Sequence, residues 1–349
     1  MTALRDTAAA RVFVVQPLPS AAIDRLAEVA EVEVFPYSHR AITVAELESA
    51  ARRSDYIFAM HETPITASVL TANPCLRGVG LNHAHAEFVD IEAARRASVK
   101  LLETPTTSEA QRALNGQATA DLLVGMILCL GYRIVEADRY SRARGYFQEM
   151  TMDLMGLGVT GKTASLIGMG RVARYAVPRL RALGMDVVYT KRTRLAPDDE
   201  LALGVRWIES KDELIACGDY VCMCANLEDT NVRLMTAADF ELMKPSAFFV
   251  NIGRGRLVDE PALIAALESG RIAGAGLDVY WDEPPVVEEP HIPDALRRLD
   301  NVVLTPHNGG ATWDSRTRQT LAIADAIVAD ITADDDLEMT VGTEVHADA

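Results

Sequence analysis

Short apolar runs alternate with helical patterns along almost the whole of this 349-residue chain. Strand-like runs such as RVFVVQ (11–16) and YIFAM (56–60) are separated by helix-like stretches such as SAAIDRLAEVA (20–30). Regular alternation of strands and helices is typical of parallel sheets that carry helices on both faces. Because a chain of this length favours about two domains, the sequence predicts an α/β protein with two doubly wound parallel sheets.

The strand-like runs fall into two sets, joined by a long helical pattern at about 113–144. The first set ends with VKLLET (99–104), and a proline follows it. The second set opens with TASLIGMG (163–170) and has six predicted strands, as in a dinucleotide-binding fold. A last helical pattern extends over about 312–331. We expect the acidic tail after it to be loosely held.

Composition and charge exclude several classes of partner. Acidic residues outnumber basic residues by 50 to 34, so the net charge is −16, and we expect neither nucleic acid nor a membrane as partner. The longest apolar run, 122–132, is bracketed by Asp121 and Arg133 and is too short to span a bilayer, so it predicts a buried core helix. Five irregularly spaced cysteines and an opening without a secretory signal pattern predict a cytoplasmic protein.

A glycine motif follows the first strand of the second set. Gly168, Gly170 and Ala173 form the pattern G-x-G-x-x-A between an apolar strand and a helical stretch at 172–183. The first glycine permits a tight turn, the second lets the backbone approach a pyrophosphate, and the alanine allows close helix–sheet packing. An ordinary glycine-rich turn is the alternative, but the strand–turn–helix context favours a dinucleotide site.

The turn after the next strand predicts which dinucleotide binds. Enzymes that use NAD place Asp or Glu here to accept hydrogen bonds from the ribose hydroxyls. This chain has Lys191-Arg192-Thr193-Arg194, with three cations, one hydroxyl and no acid. Cationic side chains suit a 2′-phosphate, so we expect NADP as the cofactor, with NAD as the alternative. A solvated basic turn without a ligand is the other interpretation.

The chain resembles the D-isomer-specific 2-hydroxyacid dehydrogenases over nearly its full length. The resemblance is carried by ATADL (118–122), GKTASLIGMGRVA (161–173), MKPSAFFVNIGRGRLVDE (243–260), GAGLDVYWDEPP (274–285) and NVVLTPHNGG (301–310). The set is similar to the branch that contains the glyoxylate/hydroxypyruvate reductases. The resemblance implies a Rossmann dinucleotide-binding domain at 115–310, inserted into a flavodoxin-like substrate domain formed by 1–114 and 311–349.

Three catalytic residues are implied by this resemblance. Arg254, in N-x-G-R-G, would bind the carboxylate of a 2-oxo acid and polarise its carbonyl group. His307, in T-P-H-x-G-G, would give a proton to the carbonyl oxygen as hydride arrives and remove it in the reverse direction. Glu283, in LDVYWDEP, would favour the protonated form of that histidine and fix its tautomer. The alternatives are a surface ion pair, a structural histidine and a solvated glutamate.

The cofactor contacts are expected from the same motifs. They are Gly168, Gly170, Arg171, Val172, Lys191, Arg192, Thr193, Cys224, Ala225, Ile252, Gly253, Asp278 and Gly310. Asp278 is expected to touch the nicotinamide carboxamide rather than to take part in the chemistry. Cys222 and Cys224 lie two residues apart on a predicted strand, so their side chains share one face. Core packing near the cofactor is favoured for them over a redox or metal role.

The sequence departs from the family in the loop before Asp90. Members usually carry glycines there, and their backbone N–H groups hold the substrate carboxylate, whereas this chain has His83-Ala84-His85. We expect these residues to contact the substrate, with the histidines facing an extra anionic or polar group. Histidines without a role are the alternative, and no metal is expected because no third ligand is near in the sequence. Asn308, where an aliphatic residue is common, is a second departure.

The predicted function is the interconversion of a 2-oxo acid and its (R)-2-hydroxy acid with NADP(H). A formate or phosphite dehydrogenase of the same fold is one alternative, and Glu283 argues against the formate enzymes, which carry glutamine there. A non-enzymatic, nucleotide-sensing corepressor is the other. A homodimer is expected from the resemblance alone, with the helical pattern at 113–144 as the candidate contact.

Overall fold

The computed structural model describes residues 9–60, 63–82, 88–104, 109–144, 152–283 and 292–344. The chain forms two compact units, one made of Met1–Arg112 and Thr312–Ala349 and the other of Ala113–Ala311. Each unit contains one β-sheet, and every strand pair in both sheets is parallel. The α/β class predicted from the alternating pattern is therefore confirmed.

The first unit begins with strands and helices in strict alternation. Its elements are β1 (Ala10–Val14), α1 (Ser20–Ala27), β2 (Ala30–Val34), α2 (Val44–Ala51), β3 (Tyr56–Phe58), α3 (Ala67–Thr71), β4 (Gly78–Leu81), α4 (Ile91–Ala97) and β5 (Lys100–Glu103). The strand order is β2-β1-β3-β4-β5, which is the flavodoxin-like order. Each strand predicted in this part of the sequence overlaps an observed strand.

The second unit carries the larger sheet. The elements are α5 (Glu109–Gly131), which begins just before the unit boundary, α6 (Ile134–Arg144), β6 (Thr163–Ile167), α7 (Arg171–Ala182), β7 (Asp186–Thr190), α8 (Pro197–Leu203), β8 (Arg206–Trp207), α9 (Lys211–Cys217), β9 (Tyr220–Met223), α10 (Ala237–Leu242), β10 (Phe248–Asn251), α11 (Glu260–Glu268), β11 (Gly274–Leu277), α12 (Asp294–Arg298) and β12 (Val302–Leu304). Short 3₁₀ turns cover Met152–Leu154, Asp229–Asn231 and Gly255–Leu257. The strand order is β12-β11-β10-β9-β6-β7-β8.

After the second unit the chain returns to the first as α13 (Trp313–Glu344). Ile323 and Ile327 of α13 are fully buried against the five-stranded sheet. A Cβ on Gly80 of β4 would lie 2.5 Å from the Ile327 side chain, so the glycine makes room for the helix. Asp330 accepts a hydrogen bond from the Tyr56 hydroxyl at 2.8 Å, which ties the helix to β3.

Three sequence predictions about elements are wrong. The larger sheet has seven strands rather than six. The strand that the sequence does not predict is β8, a two-residue strand at the sheet edge that pairs with β7 alone and has no apolar run. The helical pattern at 113–144 is two helices, because the chain turns at Arg133, a non-glycine residue with φ +53°. The last helix does not end near Ile331, since α13 extends to Glu344 through the acidic tail.

The apolar run at 122–132 lies in α5 and its end. Among the described residues, Ala113–Gly131 is the one helical stretch long and apolar enough to cross a membrane. However, Leu123, Met126, Ile127 and Leu130 of this stretch are buried in the core of the second unit. They recur at three- and four-residue intervals, which places them on one face of the helix. The run therefore provides one layer of this core, as the sequence predicts.

The larger sheet brings its functional loops to one edge. In a parallel sheet all strands end at the same edge, and ligands bind there. The loops after β6, β7, β9, β10, β11 and β12 therefore lie along the carboxyl edge of this sheet. These loops contain Gly168, the basic turn, Arg254, Asp278, Glu283 and His307, whereas the ATADL motif (118–122) lies in α5.

Candidate active site

The glycine motif forms a tight turn between β6 and α7. Gly168 has φ +99°, which residues with a side chain rarely adopt, and a Cβ there would lie 2.7 Å from the backbone nitrogen of Ala225. Gly170 is the N-cap residue of α7, and a Cβ built on it meets nothing within 4 Å. Open space therefore lies at the N-terminus of a twelve-residue helix. This geometry fits the pyrophosphate of a dinucleotide.

The basic turn directly follows β7 and lies beside the glycine motif. Thr190, the last residue of β7, accepts a hydrogen bond from the backbone N–H of Gly168 at 2.9 Å. The Arg192 guanidinium is exposed and pairs with the Glu228 carboxylate through distances of 2.9 and 3.4 Å. Lys191 is half-buried. The turn that carries Lys191 and Arg192 therefore begins next to the glycine motif.

Arg194, the third cation of the turn, holds the local fold together. Its guanidinium donates to both carboxylate oxygens of Glu200, at 2.9 and 2.7 Å, and stacks on the ring of Trp207 at 5.0 Å. The Tyr189 hydroxyl donates to the same carboxylate at 2.6 Å. Both donors stabilise the charged form, so they lower the pKa of Glu200 to about 2. Arg194 therefore anchors the turn to the start of α8.

A pocket of about 160 Å³ opens at the carboxyl edge of the larger sheet. It is lined by Thr119, Val172, Cys224, Ala225, Asn226, Ile252, Gly253, Arg254, Asp278, His307, Gly309 and Gly310. All of these residues belong to the second unit. The pocket therefore brings together nine residues that the sequence predicts for the site, contributed by α7 and by the loops after β9, β10, β11 and β12.

The loop after β10 aligns Arg254 at the pocket. The Asn251 side chain accepts a hydrogen bond from Gly253 N at 3.0 Å and donates one to the Arg254 carbonyl at 3.1 Å, so it braces the turn from both sides. A Cβ on Gly255 would collide with the Tyr280 carbonyl. The residues of the N-x-G-R-G motif thus form a tight, buried turn, and the exposed Arg254 on this turn lines the pocket.

The His307 imidazole and the Glu283 carboxylate lie within contact distance at the same edge. The distance from His307 Nδ1 to Glu283 Oε2 is 3.1 Å, and the carboxylate is the more buried partner, with its side chain 16% exposed against 39% for the imidazole. Glu283 Oε1 accepts a hydrogen bond from the Tyr280 backbone N–H at 2.7 Å. Both carboxylate oxygens therefore have partners, and one of them fixes the orientation of the imidazole ring.

Asp278 braces the turn that carries His307. The Asp278 carboxylate is buried and accepts hydrogen bonds from the Thr305 hydroxyl at 2.6 Å, from Asn308 N at 2.9 Å and from Gly309 N at 3.0 Å. The His307 backbone N–H donates to the Asp278 carbonyl at 2.8 Å. Asp278 was predicted as a contact of the nicotinamide carboxamide, and it does line the pocket. Its carboxylate oxygens, however, bind the backbone around the histidine.

Comparison with known proteins identifies the family. The model for "D-isomer specific 2-hydroxyacid dehydrogenase, NAD binding domain" matches residues 124–309. A provisionally named 2-hydroxyacid dehydrogenase of Staphylococcus aureus is 31% identical over 319 residues, which cover 91% of this chain and 96% of the relative. The chain belongs to the D-isomer-specific 2-hydroxyacid dehydrogenases. These enzymes bind a nicotinamide dinucleotide and act on small hydroxy acids.

Solved structures agree with this assignment. A provisionally named D-isomer-specific 2-hydroxyacid dehydrogenase from Polaromonas has a TM-score of 0.80 and 28% identity, over 93% of this chain and 97% of that one. An NADPH-dependent glyoxylate/hydroxypyruvate reductase from Sinorhizobium meliloti, solved with citrate, has a TM-score of 0.69 and 25% identity, over 92% and 94%. The resemblance stated from the motifs is confirmed at the level of family and fold.

Cys222, on β9, and Cys224, just after it, are poorly suited to thiolate chemistry in this dehydrogenase. Burial raises the pKa of the Cys224 thiol to about 12 and that of Cys222 well above its usual value. Cys222 packs in the core of the second unit, and Cys224 lines the pocket. These environments favour packing over a redox role.

Some predicted residues lie away from the pocket, and others were missed. Gly168, Gly170, Arg171, Lys191, Arg192 and Thr193 belong to the neighbouring glycine and basic turns. His83, Ala84 and His85 lie outside the described residues. Thr119, Asn226 and Gly309 line the pocket without having been singled out. Thr119 lies within ATADL and Gly309 follows the predicted histidine by two positions, so the motifs contained a signal for both.

Proposed function

We propose that this dehydrogenase interconverts a 2-oxo acid and the corresponding (R)-2-hydroxy acid with NADP(H). The observation that carries the proposal is the imidazole–carboxylate pair of His307 and Glu283 at 3.1 Å, at the edge of a pocket that also contains Arg254. A cation for the substrate carboxylate and a polarised acid–base group are the two requirements for reducing a 2-oxo acid. A bound nicotinamide supplies the hydride to C2 in reduction and accepts it in oxidation.

Each side chain has one task in this proposal. Arg254 binds the substrate carboxylate with its guanidinium and polarises the adjacent carbonyl. His307 gives a proton from Nε2 to the carbonyl oxygen in reduction and takes it back in oxidation. Glu283 holds Nδ1 and stabilises the imidazolium. His83, Ala84 and His85 remain our candidates for contacts to the rest of the substrate.

The test of this activity is a panel of 2-oxo acids offered with NADPH and with NADH. Formation of the (R)-hydroxy acid is followed by nicotinamide absorbance and by chiral analysis of the product. Arg254→Gln tests the assigned role of the guanidinium, because it removes the charge that would bind the substrate carboxylate. It should raise KM for the 2-oxo acid more than it lowers affinity for the dinucleotide. Turnover of formate or phosphite instead of every 2-oxo acid would overturn the proposal, as would binding of a dinucleotide without any turnover.

The proposed preference for NADP rests on Lys191 and Arg192. A charge pair about 5 Å apart at an effective dielectric of about 20 is worth about 3 kcal/mol. Solvent and salt reduce this to about 1–3 kcal/mol of discrimination, or about ten- to hundredfold in kcat/KM. The NADPH dependence of the Sinorhizobium meliloti relative supports the same preference. Lys191→Asp combined with Arg192→Ala should reverse the preference, and equal kcat/KM for both cofactors in the unmodified enzyme would contradict it.

We also propose a cytoplasmic homodimer. All five cysteines are free thiols, which supports a reducing compartment. Four large apolar side chains near the end of α5 and the following 3₁₀ turn are exposed, namely Tyr132, Ile134, Met152 and Met155. Exposed apolar side chains that are close along the chain favour an interface. Light scattering after size exclusion should give twice the mass of the 37.9 kDa chain.

A further inference from the structure

The loops after β7 and β9 approach the same end of the glycine motif. β6 lies between β9 and β7 in the sheet, and all three strands are parallel, so both loops leave the carboxyl edge next to Gly168. The loop after β9 touches the motif, since a Cβ on Gly168 would collide with the backbone at Ala225. A dinucleotide that crosses this turn therefore passes between the two loops.

One ion pair joins these loops. Arg192 of the first loop and Glu228 of the second are 36 residues apart, and two guanidinium nitrogens contact the two carboxylate oxygens. Glu228 is held in place by its own turn. Its backbone N–H donates to the Asn231 side chain at 2.7 Å, and that side chain donates to the Asn226 carbonyl at 2.8 Å. The backbone that carries the Glu228 side chain is thus held by hydrogen bonds within its own turn.

We propose that Glu228 is a specificity-determining residue that limits the preference for NADP by competing for Arg192. The inference rests on the proposed function, because it assigns the basic turn to the adenosine ribose. The acid that NAD-dependent enzymes place after β7 is missing here, but Glu228 provides a carboxylate at the same end of the site from another strand. A carboxylate in that position accepts hydrogen bonds from ribose hydroxyls.

The two cofactors make different demands on this pair. A 2′-phosphate carries close to two negative charges and accepts several hydrogen bonds, so it draws Arg192 away from Glu228. Moving Arg192 from Glu228 to the phosphate costs little free energy, because exposed ion pairs are weak. The Arg192 side chain is 81% exposed. The carboxylate then remains beside the phosphate and repels it. With NAD the ion pair stays intact, and the carboxylate can accept from the ribose.

The decisive variant is Glu228→Gln, which removes the charge and keeps the size. Dissociation constants of NADPH and NADH, measured by calorimetry without substrate, report on the site independently of turnover. We expect NADPH to bind about three- to tenfold tighter and NADH about equally or slightly weaker. Adenosine 2′,5′-bisphosphate and 5′-AMP, as fragment probes, should show the same divergence. In the Arg192→Ala background the gain for NADPH should shrink, because the competition has been removed.

Asp199→Asn is the matched control. It removes a carboxylate from another exposed ion pair of the same unit, Arg174–Asp199 at 3.1 Å, and should leave the ratio of NADPH to NADH affinity unchanged. The inference is overturned if the ratio of NADPH to NADH affinity in Glu228→Gln stays within twofold of the ratio in the unmodified protein. This holds even if the unmodified protein prefers NADPH. A ratio that rises in a protein that prefers NADH supports the role of Glu228 and overturns the proposed NADP preference. Absence of binding to either cofactor overturns both.

Discussion

Asp278 holds His307 in a left-handed backbone conformation. The histidine has φ +52°, and its N–H donates to the Asp278 carbonyl at 2.8 Å, while the Asp278 carboxylate accepts from the next two backbone N–H groups. A non-glycine residue in this conformation costs about 1–2 kcal/mol. Such strain persists where the surroundings over-determine it, and it is characteristic of functional sites. The buried carboxylate therefore positions the proposed acid–base group.

The first prediction concerns this bracing. Asp278→Asn keeps the shape of the side chain but replaces one acceptor oxygen by an NH₂ group. Because each carboxylate oxygen accepts from a backbone N–H, the NH₂ group faces an N–H donor, and one hydrogen bond is replaced by a repulsive contact. We expect a loss of about 1–3 kcal/mol in stability. We also expect kcat to fall about tenfold to hundredfold, because the imidazole is misplaced. Thr305→Val removes one hydrogen bond to the same carboxylate but leaves both backbone contacts, so its effect should be smaller. Unchanged kcat in Asp278→Asn would refute the positioning role.

The second prediction tests the proton donor. His307→Ala should lower kcat by about two to four orders of magnitude, the range for a general acid–base residue. The affinity for NADPH should stay within a few-fold, because the imidazole acts on the substrate proton. His39→Ala, which removes an exposed histidine from the first unit, is the control and should be fully active. Turnover of His307→Ala within tenfold of the unmodified enzyme would show that another group supplies the proton.

The third prediction concerns the pH dependence of reduction. Reduction requires the imidazolium, and the Glu283 carboxylate at 3.1 Å stabilises it. Glu283→Gln removes that charge, so kcat/KM for the 2-oxo acid should begin to decline at a lower pH than in the unmodified enzyme. Asp282→Asn, which removes the adjacent carboxylate, should leave the profile in place. Superimposable pH profiles for Glu283→Gln and the unmodified enzyme would exclude the pairing as a functional feature.

The fourth prediction links the basic turn to acid stability. The pKa of Glu200 is lowered to about 2 by Arg194 and Tyr189. A carboxyl whose pKa is lowered in the folded state adds stability above its unfolded pKa of about 4.3 and loses it as the pH falls toward the folded value. Glu200→Gln should therefore lower Tm at pH 7, and the difference from the unmodified protein should narrow below about pH 4. A difference in Tm that is constant from pH 7 to pH 3 would contradict this linkage.

Features that depend on neighbouring residues were accessible from the sequence. The strand, the glycine turn and the helix after it lie within one short segment, 163–182, and the φ of +99° at Gly168 is a local reason for glycine at that position. Contacts between distant segments were not accessible. Asp278 and Asn308 are 30 residues apart, and Arg192 and Glu228 are 36 apart. Neither periodicity nor a local motif predicts which carboxylate contacts which loop. These contacts depend on the order of the strands in the sheet.

The same reasoning explains why the pairing of the cations in the basic turn could not be predicted. Three cations within four residues predict a phosphate site by composition, and the sequence does not reveal that Arg192 and Arg194 each pair with a carboxylate. Arg194 is held by Glu200, six residues later on α8, and by the ring of Trp207. The edge strand that brings Trp207 into place has two residues, too few for a recognisable apolar pattern.

The last prediction separates the two glycines of the motif. Gly168→Ala must place a side chain at φ +99° against the Ala225 backbone, so we expect a stability loss of about 1–3 kcal/mol together with weaker dinucleotide binding. Gly170→Ala meets open space and has an ordinary extended φ of −86°, so its Tm should stay close to that of the unmodified protein. Its methyl group, however, enters the space proposed for the pyrophosphate, and the dissociation constant of NADPH should rise about tenfold or more. Calorimetric titration with NADPH, alongside thermal unfolding of both variants, checks the contrast. Full affinity in Gly170→Ala would place the dinucleotide elsewhere on the sheet edge.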